Sequence, residues 1–477
     1  MKYRLSTDNC GAINRRAPFR FAISGAAGAL LGVLIPVHAE TWDGPATGGV
    51  WNVATNWSPD TVPDAVSATA IFDDPTANRT VTYGEAITVG SIIFNNSTGF
   101  FNRIGSNTVL DVLTFDAAGG GPATITVTGN ATGSTTPNGI NGPVVLQDNL
   151  IITVPVVANT SAAGAFTFIG SNSTITGPGG VTKDGPGTMT FADTAKAFTG
   201  PLVIEEGRLR FNANARASAT SSVTVASGGQ IALDGSATYI FGSADTTQIS
   251  LNGTGLAAFP GAIRVETDRV VTIPNRVVLQ SSSALNVVGT SGSMTLTNIV
   301  SGLGALTFSE PAFNAALGKL VLSAANTYSG GTVVKGGTLV VGGSVNATLG
   351  SGDVTVASAS SVFGGAVAKL TIQTGVLDAI ANNATLSLAG GGAAAGVADD
   401  GFAELEAGVN EKISGLVLGG VAQALGTYGS SASAATNKFD EYFSGAGIVT
   451  VVPEPGAAAM LLGGLAALFT VRRRCRA

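Results

Sequence analysis

Cysteine and histidine are almost missing from this sequence, which has two of the former and one of the latter in 477 residues. Cys10 and His38 lie in the first 39 residues and Cys475 in the last few, so residues 40–471 contain neither. That excludes a Ser-His-Asp triad, a cysteine nucleophile and a His/Cys zinc site from the main body of the chain. It also excludes an internal disulfide there, whatever the redox compartment. Charge is scarce too, at 11% of residues, but 45% are hydrophobic, and that combination excludes a disordered chain. The 66 glycines follow no three-residue period, which excludes collagen. Positive charge is scarcest of all in the main body. Five of the 24 basic residues lie in 1–39 and four after 471, leaving 15, while the 30 acids lose only Asp8, leaving 29; the balance is 15 − 29 = −14. Nucleic acid binding needs a basic footprint and is excluded on that count. No P-loop, dinucleotide fingerprint, EF-hand loop or Gly-Gly-x-Gly-x-Asp nonapeptide is present, so no cofactor and no metal site is predicted.

What is present begins with a targeting segment. Lys2, Arg4, Arg15, Arg16 and Arg20 precede the apolar "FAISGAAGALLGVLIPVHA", which ends in the small-x-small triplet Val37-His38-Ala39. This predicts a signal peptide over 1–39, cut between Ala39 and Glu40. Residues 40–100 hold all three tryptophans, Trp42, Trp51 and Trp57. They read as a cap over the open end of a repetitive fold, with a sugar-stacking platform as the competing reading.

Val- and Thr-rich runs broken by Gly, Asn and Pro then predict many short strands. An internal repeat organises them. "GTMTFADTAKAFTGPLVIEEGRLRF" (187–211) aligns with "GKLVLSAANTYSGGTVVKGGTLVV" (318–341), with one residue inserted in the first copy. Phe198 then matches Tyr328, Gly200 matches Gly330, Gly207 matches Gly337 and Leu209 matches Leu339. "SVTVAS" and "DVTVAS" extend the match to clear copies over 174–233 and 297–358. Each unit is too short to bury its own apolar face, so stacked coils form the core. A sandwich is the competing architecture.

"ANTYSGGTVVKGGTLVV" resembles the autotransporter-associated β-strand repeat of secreted bacterial passengers. The resemblance implies an all-β, right-handed parallel β-helix over 101–410, followed by a closing segment over 411–452. No translocator barrel sequence follows. The ending, Val452-Pro453-Glu454-Pro455, an apolar run over 456–471 and the cluster Arg472, Arg473 and Arg474, resembles the PEP-CTERM sorting signal over 453–477. At 1.5 Å per residue the run is about 24 Å long as a transmembrane helix, slightly short of a bilayer core. The arginines then stay cytoplasmic. The two prolines hold Glu454 extended at the opposite interface. This second resemblance implies export through the inner membrane of a Gram-negative-type bacterium and processing by an exosortase. It also implies residence at the cell surface or in the extracellular matrix, near exopolysaccharide.

The expected role is therefore structural or adhesive, not enzymatic. The alternative is a carboxylate-dependent polysaccharide hydrolase or lyase, since paired acids can cleave glycosidic bonds without histidine. Its candidate pairs are Asp73-Asp74, Glu205-Glu206, Asp399-Asp400, Asp440-Glu441 and Glu404 with Glu406. Adjacent strand residues point to opposite faces, which weakens Glu205-Glu206; the Glu404/Glu406 spacing allows one face but carries no recognised motif, and each of these acids reads first as a solvated surface group.

Overall fold

A computed structural model describes residues 39–453 except 98, 107–110, 129–136, 156–165, 171, 194, 213–215, 309–317 and 360–366. Apart from two short 3₁₀ turns, every named element is a strand. The strands alternate as their sequences dictate. In Val223–Val225 and in Val354–Val356 the valines are buried and the threonine between them is half-buried.

Each coil lays one strand beside its predecessor in parallel. A first face stacks Thr69–Phe72, Ser91–Phe94, Ala123–Val127, Leu150–Thr153 and so on to Gln248–Gly253. A second face runs from Arg79–Val81 through Gly207–Asn212 and Gly229–Asp234 to Gly415–Leu418. The third is a six-stranded sheet from Ile87–Val89 to Arg216–Ala217, then an eight-stranded one from Ala237–Thr238 to Phe443–Ser444. Coil length varies: Ile204 lies beside Val225, whereas Ile93 lies beside Thr126. The 12-residue strand Arg276–Val287 turns a corner without a loop, Val277 pairing on the first face and Leu285 on the second. Its three corner residues, Gln280 to Ser282, are exposed.

The matched glycines have physical causes. Gly207 and Gly337 adopt φ of +71° and +72°, which suits glycine alone. Gly200 and Gly330 are needed for close approach: a Cβ there would stand 2.3 Å from the main-chain nitrogen of Gly180 or Ala305 in the previous coil. Phe198 and Tyr328 are both fully buried. Yet the two copies occupy different faces. Leu202–Ile204 lies on the first and its counterpart Thr332–Val334 on the second. Gly207–Asn212 lies on the second and Gly337–Val341 in the eight-stranded sheet.

The core changes character along the stack. Rings follow one another at 5.7 Å from Phe72 to Phe94, 5.8 Å to Phe166, and onward through Phe168, Phe191 and Phe211 to Phe241. Beyond, aliphatic side chains take over in register: Ile273, Leu296, Leu322, Val341, Ile372 and Leu405. Fully burying one such side chain stabilises by roughly 1.5–3 kcal/mol.

Among the described strands, antiparallel pairing is confined to the two ends. Ala39–Trp42 pairs with Trp57–Ser58 at the start, and Val421–Ala422 and Gly426–Gly429 return against the last coils. A parallel stack would otherwise end in a row of unpaired main-chain groups. The sheets run through residues 100 and 410 without a break, so the Trp-rich and closing segments are continuous with the stack.

Candidate functional site

The acidic pairs named from the sequence are spread around the stack, and most are engaged in holding turns. Asp73 and Asp74 follow Thr69–Phe72. Asp73 accepts from Asn95 Nδ2 at 2.8 Å, and Asp74 from the Ser97 N–H and hydroxyl, one coil on. Asp400, 1% exposed, accepts from Ser358 Oγ at 2.7 Å and from the N–H groups of Ala359 and Ala368 at 2.9 and 2.8 Å. Its neighbour Asp399 takes the N–H groups of Ala393 and Ala394. Asp440 holds the Ser431 N–H, and Glu441 those of Gly391 and Gly396. Glu205 and Glu206 are exposed at the corner before Gly207. Glu404 lies in the strand Phe402–Leu405 and Glu406 just beyond it, and each has its own partners. Lys369 Nζ lies 2.7 Å from Glu404, while Glu406 receives the Thr374 N–H at 2.9 Å. A general acid needs a raised pKa; the Lys369 bond moves Glu404 the other way, below the usual carboxylate range. Burial pushes Glu411 up to about 7, but this side chain is fully enclosed and accepts from the Ala379 and Ile380 N–H groups. Among the described residues, no cluster of three or more His, Cys, Asp or Glu is placed to hold a metal ion.

The tryptophans form no open platform. Trp51 and Trp57 are fully buried and Trp42 is 3% exposed. All three pack on Phe72 of the first coil at 5.5–6.1 Å. Trp57 Nε1 donates to the Trp51 carbonyl at 2.7 Å, and Trp51 Nε1 to that of Pro63.

At the two terminal signals the structure reaches only the edges. Ala39 opens the first strand beside Thr69, and Glu40 is buried beside Ala70. Val452 still donates its N–H to the Ile413 carbonyl, and exposed Pro453, which has no N–H, follows directly. Residues 1–38, Glu454, Pro455, the span 456–471 and Arg472, Arg473 and Arg474 lie outside the described residues. Among those described, no helix is long and apolar enough to cross a membrane.

Three features escaped sequence reasoning. Lys183 and Lys196 are fully buried. Lys183 Nζ donates to the carbonyls of Asp184, Gly185 and Glu206, and Lys196 Nζ to those of Ser173 and Ala192. Burial lowers them to about 8 and about 7, against the raising fields of Asp184, Glu206 and Asp193. A groove of about 340 Å³ of mixed lining lies along Asn326, Thr348, Leu349, Asp378, Ile380 and Asn382. The third feature is an arginine-rich outer surface of the second face. Arg208 and Arg264 share Glu266, while Arg210 and Arg269 share Asp234. The one cue in the sequence was Arg208-Leu209-Arg210, whose alternation puts both arginines outward beside a buried leucine.

Residues 181–211 and 317–341 match the family model of the passenger-associated transport repeat. These are the two internal copies, and the chain thus carries autotransporter-type passenger repeats. Repeats of this kind, on an all-β body of parallel sheets, mark an autotransporter-like passenger, a secreted or cell-surface protein. No curated protein and no solved structure matches the chain.

Proposed function

We propose that this protein is a non-catalytic structural or adhesive passenger of the bacterial surface or extracellular matrix, built as a right-handed parallel β-helix. The observation that carries this reading is the use of the acids. Most of the candidate carboxylates are committed to main-chain N–H groups or a lysine, as suits a scaffold and not a pair of groups flanking a glycosidic bond. Export through the inner membrane begins with the signal 1–39. The apolar run 456–471 holds the C-terminus in that membrane, with Arg472, Arg473 and Arg474 inside. An exosortase reads Val452, Pro453, Glu454 and Pro455 and removes the tail. Extracellular polysaccharide is the expected neighbour.

Glu454→Ala tests the sorting step. Glu454 lies beyond the last strand in sequence, and export depends on the distant N-terminus. A pocket that pairs with the carboxylate loses its partner. The variant is expected to accumulate as an uncut, membrane-bound precursor by intact mass. Release with the wild-type mass loss would overturn the sorting reading.

A further inference from the structure

We infer that the arginine-rich surface over residues 207–269 is a binding site for a carboxylate-bearing polymer, of which an acidic polysaccharide is the fitting kind. This deepens the matrix-associated reading above by naming the chemistry of the neighbour.

The cluster is assembled by coil stacking. Arg208 stands beside Gln230 in the next coil, Arg210 beside Ala232, and Ala232 beside Arg264. Arg210 and Arg264 are thus two strand spacings apart, roughly 10 Å. The side chains of Arg208, Arg210 and Arg264 keep 13%, 11% and 12% of their exposure, and Arg269 at the rim keeps 46%. Four guanidiniums face two carboxylates, Asp234 and Glu266, which leaves two positive charges uncompensated. This occurs on a main body whose overall balance is strongly negative.

The donors are also largely unspent. A guanidinium carries five N–H donors. Among the described residues each of these four gives one to a carboxylate, and the buried Arg208 Nε has no partner. Gln230, fully buried beneath them, gives its amide nitrogen to the carbonyls of Phe259 and Gly261 and leaves Oε1 without a partner. The Phe259 ring stacks against two cations, 5.4 Å from Arg208 and 5.6 Å from Arg264. Burial and mutual repulsion lower Arg208 to about 10, a strain that an added anion relieves. An incoming carboxylate finds forked donors at fixed spacing, the geometry in which arginine binds planar anions best.

The test is titration calorimetry of the purified full chain with oligogalacturonate, with a neutral malto-oligosaccharide and a single-stranded DNA oligonucleotide as comparison ligands. Binding of oligogalacturonate alone is expected, weakening as salt rises. Arg210→Gln with Arg264→Gln should weaken it at least about tenfold, the worth of one charge-assisted hydrogen bond. Arg276→Gln, exposed and outside the cluster, should leave it unchanged. If the double variant loses its cooperative melt, Asp234→Asn decides. It frees two guanidiniums, so it is expected to tighten binding severalfold, whereas a merely structural ion pair predicts no gain. The inference is overturned if the wild type binds no oligogalacturonate, if it binds DNA more tightly, if the arginine variants bind equally well, or if Asp234→Asn brings no gain. None of these outcomes bears on tail removal, which the Glu454→Ala mass measurement reads separately.

Discussion

Lys183, in the first half of the stack, points its ammonium at three main-chain carbonyls; Asp400 and Glu411, in the second half, point carboxylates at pairs of main-chain N–H groups. Most of the main-chain groups they meet lie in the turns between strands, as those of Gly185, Glu206, Ala359, Ala379 and Ile380 do. A buried group left unmatched costs about 1–3 kcal/mol, so a side chain of the complementary sign is worth burying despite its own desolvation. The hydrophobic layers differ in parallel: a ladder of rings in the first half, aliphatic columns in the second. The shared rule is stacking of like on like in register, and the chemistry filling it is free to change.

The largest effect should come from the corners the halves have in common. Gly207→Val forces a β-branched residue to φ of +71° and sets its Cβ 2.4 Å from the Gly185 carbonyl oxygen. A loss of roughly 3–5 kcal/mol is expected. Gly337→Val should match it within about 1 kcal/mol, since φ is the same although the face differs. Denaturation midpoints compare them, and a much smaller loss at Gly337 would mean that the halves do not share their corner.

Next is Lys183→Met, which keeps the stem and leaves three carbonyls without the ammonium. It should cost about 3 kcal/mol, and Lys183→Arg should not restore it, because a planar fork does not fit three convergent acceptors. Asp400→Ala, which strands two N–H groups and the Ser358 hydroxyl, should cost about 2–3 kcal/mol. Asp400→Asn should cost less, as its oxygen keeps some of these donors. Equal losses for the two would deny the cradle its acceptor role.

A further difference is in pH dependence. Lys183 and Lys196 titrate near 8 and 7 in the folded chain, below their ordinary 10.5. The folded state therefore binds fewer protons than the unfolded one between about pH 7 and 10.5, and stability falls as pH falls through that window. Glu411, raised from 4.5 to about 7, acts oppositely, its contribution being present below 4.5 and lost as pH rises to about 7. Together these groups give a minimum near neutrality. Lys183→Met combined with Lys196→Met should flatten the alkaline limb, to which both lysines contribute, and Glu411→Gln the acidic one. Urea midpoints across pH 4–10 report both, and a limb that persists in its variant would assign it to another group.

Much of the strand content was legible. Period-2 alternation marked Val223–Val225 and Val354–Val356, and the repeat marked Gly207 and Gly337 as corners, because both signals are local to a few residues. The burial of Trp42, Trp51 and Trp57 at the first coil followed from their clustering. What the sequence left open was the face each strand joins. Coils of unequal length shift the repeat by one face between its copies, and nothing local to Thr332–Val334 records this. The acidic pairs read as possible catalysts for the same reason. Adjacency in sequence was visible, but the N–H groups that occupy Asp400 come from residues 32 and 41 positions away.

By itself, the sequence determined that the main body has no histidine or cysteine chemistry, that its strands are short and layered, and that glycine must stand at the repeat corners. These follow from composition and from the steric limits of single residues. The tertiary structure alone decided that Arg208 meets Glu266, 58 residues away, and that Arg210 and Arg264 line one surface. Parallel stacking brings together whatever lies one or two coils apart, and the length of each coil is set by loops whose residues carry no signal of their partners.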